Sequence, residues 1–223
     1  MARLSAVVFD LDGTLVRYHG VDFESSWGAV AVGAGVGEAS RALLAEYFPR
    51  REAYAEWVRK DASLLAGVPV AQVAKRLFPA PYAEGVTEAI EELRGRYRLG
   101  ILSSGIDLVA EWVRDDLRLD FALANHLEIA DGRFTGGSVT RVELWDKESA
   151  FRSVLAEHGL RPSEVCYVGD HVNDIPVMKV AGLAIAANPK DPQLLEVCDH
   201  VIRDFLGLPA LIDAFSGPET ASP

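Results

Sequence analysis

The chain has 223 residues, 49% of them hydrophobic and 25% charged, enough for one good-sized domain or a core with a small insert. A formal net charge of −11, from 33 acidic and 22 basic residues, argues against a nucleic-acid or anionic-membrane partner and repels phosphorylated ligands unless local cations reverse the field. No stretch is long and apolar enough to span a bilayer, and the apolar run before Asp10 is too short for a signal peptide, so a cytoplasmic location is expected. The first element is that run, Ala6 to Phe9, a short buried strand ending in Asp10-Leu11-Asp12-Gly13-Thr14. Residues 17–80 then read as helical, with segments Phe23 to Val32, Glu38 to Tyr47, Arg51 to Leu65 and Val70 to Leu77, before Pro79-Ala80-Pro81 closes the block. Gly33-Ala34-Gly35-Val36-Gly37 inside it has GxGxG spacing with no βαβ unit to follow, and reads as a helix break. Trp27, Trp57 and Trp112 fall at amphipathic-helix positions that favour packing.

Further strands are expected at Leu99 to Leu102, Val165 to Val168, Leu183 to Ala186 and His200 to Ile202, alternating with helical segments Val86 to Arg96, Leu108 to Asp116 and Glu148 to His158. Gly132 to Val142 suggests a hairpin, and Cys166 reads as a small core hydrophobe. The alternation predicts an α/β fold: a doubly wound, Rossmann-like parallel sheet. Its expected core is residues 1–16 and 81–215, with a small helical domain, residues 17–80, inserted after the first strand. The tail, residues 216–223, is expected to be disordered.

The chemistry concentrates where three strands end in polar loops, at Asp10, Ser103 and Asp170, as a single site at the carboxyl edge of a sheet requires. Asp10 and Asp12 are two acids held close, a pairing that calls for a cation. Mg²⁺ suits one or two carboxylates plus a phosphate, whereas a simple turn needs no second acid. Ser103 and Ser104, with the exposed N–H groups around Gly105, can cradle phosphate oxygens or merely cap a helix. Lys147 opens a helix and is either a solvated lysine or a charge-stabilising one.

Asp10-Leu11-Asp12-Gly13-Thr14 resembles the first motif of the haloacid dehalogenase superfamily in its phosphatase form. Ser103, Lys147 and Gly169-Asp170-His171-Val172-Asn173-Asp174 resemble the second, third and fourth motifs, in order. The resemblance implies that Asp10 attacks phosphorus to give an aspartyl-phosphate and that Asp12 is the general acid and base. Lys147 would hold nucleophile and phosphate together, with Ser103, Ser104 and Asn173 contacting phosphate. Mg²⁺ would be held by Asp10, Asp170 and the backbone carbonyl of Asp12, and Asp174 would act through a water or orient Lys147. The helical insert resembles the cap of phosphoserine-phosphatase-like members, and segments 103–107, 119–125 and 131–136 are similar to that branch.

By spacing, the family's serine-binding acid and base fall at His19 and Asp61, neither of which carries the matching charge; Asp22, Glu24, Arg59 and Lys60 are the nearby charged alternatives. Trp27 and Trp57 complete the candidate residues on the cap side. The expectation is a Mg²⁺-dependent phosphomonoester hydrolase for a small phosphorylated metabolite, acting as monomer or homodimer. The alternatives are a true phosphoserine phosphatase, a phosphotransferase or mutase of the same superfamily, or a non-catalytic phospho-metabolite-binding protein.

Overall fold

The computed structural model describes residues 3–216. Its strands are β1 (Ala6–Phe9), β2 (Arg98–Ile106), β3 (Phe121–Ala130), β4 (Arg133–Val139), β5 (Val165–Gly169), β6 (Leu183–Ala187) and β7 (His200–Ile202). They form one seven-stranded sheet in the order β4-β3-β2-β1-β5-β6-β7. Every pairing is parallel except β3 with β4. Side chains alternate across the sheet, as the two-residue period of a strand dictates. Val7, Phe9, Ile101, Val168 and Ile185 feed one apolar layer; Ala6, Val8, Leu102, Tyr167 and Ala184 feed the other.

Between β1 and β2 the chain forms α1 (Ser26–Ala34), α2 (Gly37–Tyr47), α3 (Tyr54–Leu64) and α4 (Val70–Leu77). The Ser25 hydroxyl caps α1 by accepting from the Gly28 N–H at 3.1 Å, and left-handed Gly35 ends it, so the glycine-rich stretch is a helix break. Then α5 (Val86–Leu93), α6 (Asp107–Leu117) and α9 (Leu208–Ser216) cover one face of the sheet through Ile90, Val113 and Ile212. α7 (Lys147–Glu157) and α8 (Ile175–Met178) cover the other through Phe151, Leu155 and Val177. This is an α/β doubly wound sheet, as expected. Trp112 packs in the core layer, stacked on Phe78 at 4.8 Å, and Cys166 is buried in β5. The tail from Gly217 lies outside the described residues.

Four expectations need correction. β3 is absent from the expected strands because Asn125, His126 and Glu128 interrupt its apolar run. It is one long strand that pairs with β2 as far as Asn125 and with β4 from His126 onward. The hairpin is therefore β3–β4, turning at Asp131-Gly132, where both residues take left-handed φ (50° and 72°). β2 does not end at Leu102: extended backbone continues to Ile106 with a register shift against β3. Ser103 and Ser104 therefore lie in an irregular strand segment, and Asp107 starts the next helix. Residues Arg51–Ala53 form a separate short 3₁₀ turn before α3.

Asn125 fixes this irregular segment. Fully buried, its amide Nδ2 donates to the Ser104 carbonyl (2.8 Å) and the Tyr54 hydroxyl (3.0 Å). Its Oδ1 accepts from the N–H groups of Arg141 (2.8 Å) and Val142 (2.9 Å). One side chain thus ties the β2 loop, the inserted helices and the chain leading to α7. Asn125→Ala leaves two backbone N–H groups without their acceptor and is expected to lower unfolding free energy by about 2 kcal/mol, measured by urea denaturation; a change within error would show the network to be dispensable.

Candidate active site

Because β2, β1 and β5 are adjacent, their carboxyl ends bring Ser103, Asp10 and Asp170 together. Asp10 is pinned by its own N–H, which donates to the Val168 carbonyl at 2.8 Å. The following loop turns at Gly13 (φ 79°), where a Cβ would lie 2.3 Å from Asp170 Oδ2. Both the backbone sign and the closeness of the carboxylate require glycine there. The Thr14 hydroxyl donates to Asp170 Oδ1 at 3.3 Å, locking the two loops together.

Lys147, the first residue of α7, is wholly buried. Its Nζ lies 2.8 Å from Asp10 Oδ1 and 2.7 Å from Asp174 Oδ1. Asp174 Oδ1 also accepts the Tyr167 hydroxyl at 2.7 Å, and its Oδ2 accepts the N–H groups of Asp170 (3.0 Å) and His171 (3.2 Å). Both oxygens of Asp174 are thereby committed to holding lysine and loop. Burial disfavours the ammonium, but Asp10 and Asp174 overcome it and push the lysine pKa up. Burial raises Asp10 to about 6, with Lys147 opposing.

Asp12 is raised to about 7, chiefly by burial and restrained by hydrogen bonds from Ser26. Its Oδ1 accepts the Ser26 N–H at 2.9 Å and its Oδ2 the Ser26 hydroxyl at 2.7 Å. The acid is thus gripped by the first residue of α1. Asp170 is pushed well up, by burial first and then by Asp10 and Asp174. Asp10, Asp170 and Asp174 each offer an oxygen within 4.8 Å of the others. With Asp174 already saturated, Asp10 and Asp170 are the pair with capacity for a cation. One buried lysine does not balance these carboxylates, and an all-oxygen donor set of this kind fits a hard divalent ion.

Beside them, the Ser103 hydroxyl is buried and accepts the Gly105 N–H at 3.0 Å. The Ser104 carbonyl is clamped by Trp27 Nε1 (3.2 Å), the Tyr54 hydroxyl (2.9 Å) and Asn125. Asn173, also buried, lies on the opposite wall, where its Oδ1 is 3.3 Å from His171 Nδ1. Asp10, Asp12, Ser103, Ser104, Asp170 and Asn173 line the floor of one cleft. Trp27, Trp57 and Asp61 line its roof. His19 is not among the lining residues: its ring is largely exposed, 3.1 Å from Glu24. Of the nearby charges, Asp22 is paired with Arg41 and Glu24 with Lys190, while Arg59 and Lys60 face solvent away from the cleft.

Sequence reasoning did not single out Ser26, Tyr167 or Tyr54 for this site. Ser26 and Tyr54 reach it only through the folding of the insert. Tyr167 alone carried a local signal, a hydroxyl inside an otherwise apolar strand.

A family model described as haloacid dehalogenase-like hydrolase matches residues 7–179. The chain belongs to that family. It is 33% identical over 202 residues to the phosphoserine phosphatase of Methanocaldococcus jannaschii, covering 88% of this chain and 91% of the relative. Against the phosphoserine phosphatase of Halobacterium salinarum the identity is 29%, covering 94% and 98%. A solved phospho-aspartyl intermediate analogue of phosphoserine phosphatase superposes with a TM-score of 0.77 at 31% identity, covering 95% of this chain and all of that one. A substrate-bound phosphoserine phosphatase complex gives 0.76 at 30%, with 96% and 100% covered. The chain is thus a phosphatase of the haloacid dehalogenase family, in its phosphoserine-phosphatase-like branch.

The unbalanced carboxylates make a prediction about stability. Millimolar Mg²⁺ added to chelator-treated protein is expected to raise the melting temperature by several degrees, since a ligand of the folded state stabilises it by mass action. Asp170→Asn should lose most of that rise; an equal rise in the variant would place the ion elsewhere.

Proposed function

We propose that the chain hydrolyses a small phosphate monoester with Mg²⁺ through a phosphoryl group carried on Asp10. The observation that carries this reading is the Asp10 carboxylate, held 2.8 Å from a buried lysine, with the Asp12 carboxyl poised at about 7. In the first step an Asp10 oxygen bonds to phosphorus as the ester P–O bond breaks, and the departing alkoxide takes a proton from Asp12. In the second, Asp12 takes a proton from water as the water oxygen bonds to phosphorus and the bond to Asp10 breaks, restoring the carboxylate. Lys147 faces the charge that builds on the phosphoryl oxygens and keeps Asp10 in one rotamer through its tie to Asp174. Ser103 and Asn173 hold the phosphate from two sides. A Mg²⁺ ion held by Asp10, Asp170 and the backbone carbonyl of Asp12 would neutralise the floor of the cleft and polarise the phosphate. The family match and the phosphoserine phosphatase relatives support the same assignment.

The inserted helices, residues 17–80, act in this reading as a cap that shields the site from bulk water. Asp10→Asn is expected to lower kcat for p-nitrophenyl phosphate by roughly a thousandfold or more, and Asp12→Asn by roughly a hundredfold or more, with unfolding transitions preserved. Wild-type turnover in a folded Asp10→Asn variant would overturn the reading.

A further inference from the structure

α3 is amphipathic, and its buried stripe runs through Tyr54, Val58, Asp61 and Ala62. An acid belongs on the opposite, solvated face. Asp61 nevertheless sits in the stripe, 8% exposed, with Oδ1 lacking any hydrogen-bond partner. One turn earlier on the same face, Trp57 Nε1 is also buried; it lies near enough to favour the Asp61 carboxylate but makes no well-formed hydrogen bond. Burial raises the Asp61 carboxyl to about 6; only the nearby Ser40 hydroxyl and Trp57 N–H restrain it, and neither is a counter-charge. Near neutral pH it is therefore mainly an uncompensated carboxylate, a costly arrangement unless something neutralises it.

Asp61 lines the cleft above Asp10. The roof around it is aromatic, contributed by Phe23, Trp27, Phe48, Tyr54 and Trp57. Tyr54 and Trp57 meet edge to face at 5.9 Å, and Phe23 stacks on Phe48 at 5.2 Å. The two cations lining the cleft, Arg41 and Lys190, are paired with Asp22 and Glu24. Among the described residues, the roof thus offers a free acid and ring faces, and no free base.

We propose that the substrate is the phosphate monoester of an amino alcohol, its ammonium group seated against Asp61 and the aromatic roof while its phosphate lies on Asp10. The inference rests on the phosphatase reading above and deepens it. A cation supplies the missing partner of Asp61, gains from the ring faces, and leaves no carboxylate to accommodate. Phosphoserine brings the ammonium but also a carboxylate, for which the roof holds no unpaired cation.

The test is steady-state hydrolysis, with Mg²⁺, of ω-aminoalkyl phosphates of graded chain length against the matching ω-hydroxyalkyl phosphates, with phosphoserine and p-nitrophenyl phosphate alongside. At the preferred length the amine should exceed its hydroxyl counterpart in kcat/KM by about tenfold or more, as a charge-assisted contact implies. Asp61→Asn should bring that ratio close to one, chiefly through KM. Equal rates for amine and hydroxyl esters, phosphoserine as the best substrate, or a ratio unchanged in Asp61→Asn would each overturn the inference. The comparison of esters is made on the wild-type protein and so stands even if the variant does not fold. Turnover of p-nitrophenyl phosphate without amine preference would leave the phosphatase reading intact; no turnover of any ester would remove both.

Discussion

The site depends on one buried ammonium shared between two carboxylates. Lys147 lies at the start of α7, Asp10 at the end of β1 and Asp174 beyond the end of β5, so its two contacts of 2.8 and 2.7 Å join three separate elements. Such a charge is tolerated in the interior only while its partners are in place, and removing one partner of a buried pair typically costs about 3–5 kcal/mol. Tyr167 and the loop N–H groups saturate Asp174, leaving Asp10 the less encumbered partner. The constraint that stabilises the loops is also what aims Asp10.

The second constraint is surplus negative charge. Asp10, Asp12 and Asp170 all have raised pKa values, burial being the leading cause of each. A divalent cation would offset this charge and so admit a phosphate dianion to the cleft. The inserted helices take part directly, because Ser26 holds Asp12 from the first turn of α1. They also rest on the core through Glu24 with Lys190 at 2.7 Å, Phe23 against His171 at 5.2 Å, and Arg51 over the Trp145 ring at 4.2 Å. Placement of the helices over the cleft and positioning of the acid are therefore coupled.

The legible parts of the sequence were those governed by local chemistry. Strands β1, β5 and β6 are short apolar runs, and the polar residues that follow β1 and β5 mark the carboxyl edge of the sheet. Strand β3 was not legible, because half of it pairs in parallel with β2 and half antiparallel with the edge strand β4, so no single period runs through it. Asp10, Asp12 and Asp170 could be singled out because their motifs are compact, and Lys147 only through its place in the order of the family's motifs. Ser26, Tyr54 and Asn125 could not, since their partners lie 14, 50 and 21 residues away and only the tertiary fold joins them. Spacing alone pointed to His19 as a roof residue, whereas a side chain paired with Glu24 at the surface does not reach the cleft. Asp61 could have been flagged more sharply, as an acid on the apolar stripe of its helix.

In the proposed reaction Asp10 itself carries the phosphoryl group. Acid quenching during turnover, followed by borohydride reduction and peptide mass spectrometry, tests it most directly, because an acyl phosphate is reduced where a free carboxylate is not. Homoserine is expected in place of aspartate at position 10, dependent on substrate and absent from the Asp10→Asn protein. Substrate-dependent reduction at another carboxylate, or turnover with none at Asp10, would contradict it.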